Sequence, residues 1–282
     1  LNNKVIDRRD IEKNTNVPMI GYIGHSKPGD ILTVAESPGS TLAESFRSLR
    51  TNLKYFVKDV NCPVISVTSA ITGEGKTFIS ANLASIIALG GKKVLLVGLD
   101  LRKPRMHKIL GVNNETGLST LLSGQEEISN VYFSSRYENL WFVPSGPLPP
   151  NPAELIDSQE MKDFIDHARR QFDYIILDTP PVAVVTDALL LSSFTNFYIF
   201  VVRQRYSSKN TIELIEEIRR NGKINNAGIV LNDISLTGYY GYGLRYGYSA
   251  GYGYYYGHSY YGGYYKRYGA ENTARGYYAD NE

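Results

Sequence analysis

The chain has 282 residues, 43% apolar and 21% charged, which is ordinary for a globular protein and ample for a sizeable core. Its 30 basic and 28 acidic side chains leave a formal net charge of +2, so the bulk charge argues against a nucleic-acid partner. The single cysteine, Cys62, excludes an internal disulfide framework, and the polar opening LNNKVIDRRD has no signal-peptide pattern.

In chain order, VPMIGYI (Val17 to Ile23) reads as a first strand. STLAESFRSLRTNLKYFVKD (Ser40 to Asp59) opens with a Ser/Thr cap and continues as a helix. Leu42, Phe46, Leu49, Leu53 and Phe56 form its apolar stripe, and Glu44, Arg47 and Arg50 fall on a different face. A solvated charged face and a pairing surface both fit that placement.

Apolar runs of strand character then alternate with helices. PVISVTS (Pro63 to Ser69), KVLLVG (Lys93 to Gly98), NLWFVP (Asn139 to Pro144), YIILD (Tyr174 to Asp178), FYIFVV (Phe197 to Val202) and AGIVLN (Ala227 to Asn232) read as strands. Helices are expected near Lys76 to Leu89 and at about 158–171, 184–194 and 208–221. Strands apolar on both faces, alternating with helices, imply an α/β fold. Its central sheet is mostly parallel and covered on both sides. Ligands of such folds bind at the carboxyl ends of the strands.

That edge carries the chemistry. SAITGEGKTF follows the first core strand and fits a P-loop, with Ala70 where the pattern has its first Gly. Gly73 and Gly75 let backbone amides surround phosphate oxygens, and the helix N-terminus adds its positive dipole end. Thr72, Glu74 and Phe78 complete the nucleotide-binding stretch, with Lys76 expected on the β/γ-phosphates and Thr77 on Mg²⁺. Asp178, ending YIILD, is placed to hold Mg²⁺. Asp100 follows the strand at Val94 and also points to the nucleotide end, in a loop made basic by Arg102, Lys103 and Arg105.

Sixteen of the 23 tyrosines lie between Tyr239 and Tyr278, and 11 of the 26 glycines lie from Thr237 onward. With almost no aliphatic residues it cannot offset its ordering entropy, so residues 237–282 are expected to be a disordered Tyr/Gly-rich tail appended to a domain of residues 1–236. On composition alone, that tail is equally a sticky self-associating segment.

Together, the P-loop, Val94 to Pro104, YIILD and the tyrosine tail resemble the bacterial tyrosine kinases (BY-kinases), in particular the cytoplasmic domain of Wzc-type polysaccharide co-polymerases. The family's Glu-x-x-Arg-x-x-Arg motif is matched by Glu44, Arg47 and Arg50, and FVPSGPLPPNPAELIDS (Phe142 to Ser158) is similar to a family segment. The resemblance covers nearly the whole chain. It implies an ATP- and Mg²⁺-dependent protein-tyrosine autokinase of P-loop NTPase fold, with Lys76, Asp100 and Asp178 as catalytic residues and Thr77, Asp100 and Asp178 around the metal. Asn232 resembles a nucleobase contact, although a strand-end turn former is the alternative reading of that residue.

The resemblance further implies a ring homo-oligomer, an octamer in the family, paired through Glu44, Arg47 and Arg50. In such a ring each tail is phosphorylated in trans, and the cycle regulates exopolysaccharide polymerisation and export. The acceptors are Tyr239, Tyr240, Tyr242, Tyr246, Tyr248, Tyr252, Tyr254, Tyr255, Tyr256, Tyr260, Tyr261, Tyr264, Tyr265, Tyr268, Tyr277 and Tyr278. A tyrosine phosphatase is the implied partner. A membrane-embedded co-polymerase segment ahead of Leu1 is another, which would place the chain at the cytoplasmic face of the inner membrane. Two departures stand out. Gly98 occupies the position of the family's first Asp in Asp-x-Asp, and Ile71 stands where partitioning ATPases carry a signature lysine. The first keeps open an alternative, a catalytically weak P-loop ATPase scaffold.

Overall fold

The computed structural model describes residues 3–26, 32–183, 190–222, 224 and 226–235. The acceptor tyrosines and the expected tail lie outside these residues, as does most of the helix expected at 184–194. Only a 3₁₀ turn, Leu191–Ser193, is seen at the end of that helix's range.

Strands β1 (Met19–Gly24), β2 (Val64–Ser69), β3 (Val94–Gly98), β4 (Phe133–Ser134), β5 (Leu140–Val143), β6 (Tyr174–Asp178), β7 (Phe197–Arg203) and β8 (Ala227–Ile234) form one sheet. Their order is β1-β8-β7-β2-β6-β3-β5-β4, and every neighbouring pair is parallel except β4–β5. The two-residue β4 was not legible as a strand, because it buries little and pairs along one edge alone.

Successive residues of the central strands feed opposite layers. Ile65, Val67, Val94, Leu96 and Ile176 join one buried cluster, while Val64, Leu95, Val97, Ile175 and Leu177 join the other. Two-sided burial therefore explains why these strands read as continuous apolar runs. The Lys76–Ala88 helix is buried almost all round, as its sequence KTFISANLASIIA requires. The Lys209–Arg220 helix shows the opposite pattern, burying Ile212, Ile215 and Ile218 on one face only.

The Thr41–Val57 helix is capped by Ser40, whose Oγ accepts from the Ala43 amide at 3.2 Å. Its buried stripe is Ala43, Phe46, Leu49, Leu53 and Val57. This corrects the expectation for Phe56, which is 43% exposed and leans on Phe197 with ring centroids 4.8 Å apart. Among the described residues, no helix is long and apolar enough to cross a membrane.

Candidate nucleotide site

The phosphate loop leaves β2 at Ser69 and ends at Gly75, which caps the Lys76–Ala88 helix with φ +100°. Gly73 also has a left-handed backbone, φ +92°. A β-carbon on Gly75 would stand 2.2 Å from Asn232 Nδ2, and one on Gly73 2.7 Å from the Tyr206 hydroxyl. Backbone angle and space thus both demand glycine at these positions.

In front of the loop is a cavity of about 660 Å³. Thr72, Gly73, Gly75, Lys76, Thr77 and Phe78 line it, together with Asp100, Ser145 and Asp178. β-Sheet register explains the convergence: Gly98 of β3 pairs with Asp178 of β6, and the Leu99 amide donates to the Asp178 carbonyl at 2.9 Å. Asp100 lies two residues beyond that pair, its Oδ1 accepting from the Lys103 amide at 3.0 Å.

Asp178 is buried, and its carboxyl is pushed up to about 6, chiefly by that burial. The Lys76 ammonium and hydrogen bonds from Thr77 and Ser80 oppose the shift, while the Asp100 charge adds to it. Ser80 Oγ donates to Asp178 Oδ1 at 3.2 Å. The donor set, two carboxylates and a threonine hydroxyl, is all oxygen and suits a hard cation such as Mg²⁺, which binds through one or two carboxylates plus phosphate. Among the described residues, no group of three His, Cys, Asp or Glu side chains forms a self-sufficient metal cage.

Behind the loop lies a brace that the sequence did not disclose. Glu74 is fully buried; its Oε2 accepts from the Ile71 amide at 2.9 Å, and its Oε1 accepts from Ser207 Oγ. Burial raises its carboxyl pKa despite these bonds. Asn232 Nδ2 donates to the Glu74 carbonyl at 2.9 Å, the Tyr206 hydroxyl to the Thr72 carbonyl at 2.9 Å, and Arg203 Nη1 to the Gly73 carbonyl at 3.0 Å. Arg203 is itself held by Asp233 at 2.8 Å.

Of the expected binding residues, Thr72, Gly73, Gly75, Lys76, Thr77, Phe78, Asp100 and Asp178 are brought to one cavity. The Glu74 side chain points away from it into the protein, and the Asn232 amide is engaged with the loop's own carbonyl. The long spacing from residue 74 to residues 203–207 hid this brace. Glu44, Arg47 and Arg50 also have partners within the chain. Arg47 pairs with Glu44 and donates to the Pro38 carbonyl at 2.7 Å, while Arg50 donates to the Ile86 carbonyl at 2.8 Å.

Comparison with known proteins agrees with this architecture. Residues 62–230 match the family model described as an AAA domain. The chain is 35% identical to a putative tyrosine-protein kinase, EpsB, of Ralstonia solanacearum over 82% of its length, spanning 31% of that protein. The chain thus covers about a third of such relatives. It is also 35% identical to the tyrosine-protein kinase YwqD of Bacillus subtilis, covering 72% of this chain and 88% of that one. The kinase domain of the Escherichia coli tyrosine kinase ETK superposes with a TM-score of 0.75 at 26% identity, covering 83% of this chain and 98% of that domain.

Proposed function

The chain belongs to the bacterial tyrosine-protein kinases, and from that premise we propose that it transfers the γ-phosphoryl group of ATP to tyrosines of its own Tyr239–Tyr278 cluster, in trans within a ring of identical subunits. The observation that carries this reading is the meeting of Lys76, Thr77, Asp100 and Asp178 around one cavity at the carboxyl edge of the sheet.

In the proposed reaction the Pγ–O bond to ADP breaks and a bond from phosphorus to the tyrosine oxygen forms. The acceptor phenol has an ordinary pKa of about 10 and enters neutral. Phosphoryl transfer of this kind depends on positioning and charge stabilisation more than on a strong base. Lys76 neutralises charge on the β/γ-phosphates, and the loop amides and helix N-terminus hold their oxygens. Thr77, Asp100 and Asp178 would hold Mg²⁺, which when bound neutralises charge on the same oxygens. Asp100, the more exposed carboxylate, orients the tyrosine hydroxyl and receives its proton. Asn232, through its contact with Glu74, sets the loop against the strand that faces the base.

The regulatory reading follows from charge. Each phosphotyrosine adds about −1.5 to −2 charges at pH 7. Heavily phosphorylated tails would repel one another and loosen the ring, a phosphatase would reset it, and the cycle would govern polysaccharide assembly at the membrane. Gly98 favours one second reading, a scaffold that binds ATP and transfers phosphate weakly. A mixing experiment separates the two. The chain with all tail tyrosines changed to Phe serves as enzyme, and the Lys76→Met chain serves as acceptor. Phosphotyrosine on the acceptor supports trans transfer; its absence, with MgATP still bound by the enzyme, supports the scaffold.

A further inference from the structure

The rim of the cavity is strongly basic. Arg102, Lys103, Arg105 and Lys108 line it, all exposed, on the single segment that runs from Asp100 into the Met106–Leu110 helix. Among the described residues, the acidic side chains lining the cavity are Asp100 and Asp178.

Topology sets these cations on the β3 side of the phosphate loop. The phosphate loop follows β2, Asp178 ends β6, and Asp100 follows β3, in the spatial order β2-β6-β3. Asn232 and Arg203 lie on the opposite flank, at the ends of β8 and β7. A nucleotide with its phosphates on the loop and its base toward Asn232 leaves the β3 side for the incoming tyrosine. The cations therefore meet the acceptor chain rather than the base.

The unmodified tail gives them little to bind. From Thr237 onward it has Arg245, Lys266, Arg267 and Arg275 against Glu271, Asp280 and Glu282, so it is nearly neutral. A phosphotyrosine changes that, and the spacing is close: Tyr252, Tyr254, Tyr255 and Tyr256 fall within one short run. Two to three residues of extended chain reach roughly 7–10 Å, so a phosphate on one tyrosine can reach cations that far from the site its neighbour enters. At about −1.5 to −2 charges each, roughly two phosphates match the rim.

We propose that Lys103, Arg105 and Lys108, with Arg102, form a phosphotyrosine subsite that makes a tail already carrying phosphate the preferred acceptor. The proposal rests on the kinase reading and adds its substrate class. Early phosphates speed later ones; only beyond about two does the surplus charge drive tails apart.

The test uses the full chain with peptides spanning Gly251 to Tyr261, either unmodified, with phosphotyrosine at position 254, or with Glu at position 254. Initial rates and KM are measured with MgATP, and peptide binding by fluorescence anisotropy with a non-hydrolysable ATP analogue. The phosphopeptide should show a KM and a dissociation constant lower by roughly tenfold, the scale of two to three charge-assisted contacts at an exposed mouth, and the preference should shrink with added salt. In Lys103→Ala/Arg105→Ala/Lys108→Ala the preference should vanish, while KM for the plain peptide and affinity for a fluorescent ATP analogue stay within about twofold. Equal affinity for plain and phosphorylated peptides, or a preference that survives the triple substitution, overturns the proposal. A Glu peptide bound as tightly as the phosphopeptide overturns its assignment to phosphotyrosine. If no peptide is phosphorylated, the kinase reading fails by itself, and the anisotropy comparison still decides the subsite.

Discussion

Ser145 Oγ stands 2.9 Å from the point where a β-carbon on Gly98 would begin, and the Ser145 amide nitrogen 3.2 Å from it. Ser145 is buried and lines the cavity, so the place of the missing aspartate is filled by a neighbouring strand end. Restoring the carboxylate by Gly98→Asp alone should overpack this point and cost about 1–3 kcal/mol, without raising phosphotransfer. Gly98→Asp with Ser145→Ala should recover part of the lost stability and is the combination in which phosphotransfer rises. Thermal melts and initial rates of the three proteins check this.

Glu74 and Ser207 join the phosphate loop to the segment after β7. Glu74→Ala leaves the part-buried Ile71 amide without its acceptor, so we expect a loss of about 1–3 kcal/mol in stability and weaker binding of MgATP. Glu74→Gln keeps an acceptor and should retain most of both. Titration of a fluorescent nucleotide into each variant, beside urea unfolding, reads the two effects separately.

Much of this site was legible because its signals are local. The loop from Ser69 to Thr77, the strand ending in Asp178 and the strand before Asp100 each announce themselves within about ten residues, and parallel α/β topology brings such strand ends to one edge. The brace was hidden because Glu74 meets residues more than a hundred positions away, and a Glu in a Gly-rich turn reads as exposed. The Phe56 placement failed for a geometric reason. Phe56 and Val57 differ by only 100° on the helix, and the buried position goes to the smaller side chain.

Glu216 anchors the chain's amino-terminal segment. It accepts from Thr15 Oγ1 at 2.8 Å, the Asn16 amide at 3.1 Å, Arg219 and Arg220. The bond from Arg219, with help from Thr15, Asn16 and Arg220, holds its carboxyl well below the usual range despite its burial. A carboxyl lowered in the folded state adds stability that is full above its unfolded pKa of about 4.3 and is lost as pH falls below it. Wild-type stability should therefore fall with acid below about pH 4 more steeply than that of Glu216→Gln. Parallel slopes in the two proteins would remove Glu216 from the acid response.

Arg50 and Arg47 should behave differently. Arg50 Nη1 is bonded to the Ile86 carbonyl near the end of the Lys76–Ala88 helix, and its buried Nε has no hydrogen-bond partner among the described residues. Arg50→Ala should cost about 1–3 kcal/mol of folding stability. Glu44 is largely exposed, so Glu44→Ala with Arg47→Ala should cost no more than about 1 kcal/mol. That double variant is the cleaner test of the ring: sedimentation should show it as a monomer under conditions in which the wild-type chain associates.

The central claim is tyrosine phosphorylation driven by the P-loop, and intact-mass spectrometry of the purified chain before and after MgATP tests it most directly. The account predicts a ladder of added phosphates, mapped by peptide sequencing to tyrosines between Tyr239 and Tyr278 and absent in Lys76→Met. An unshifted mass in a wild-type protein that demonstrably binds MgATP would contradict it.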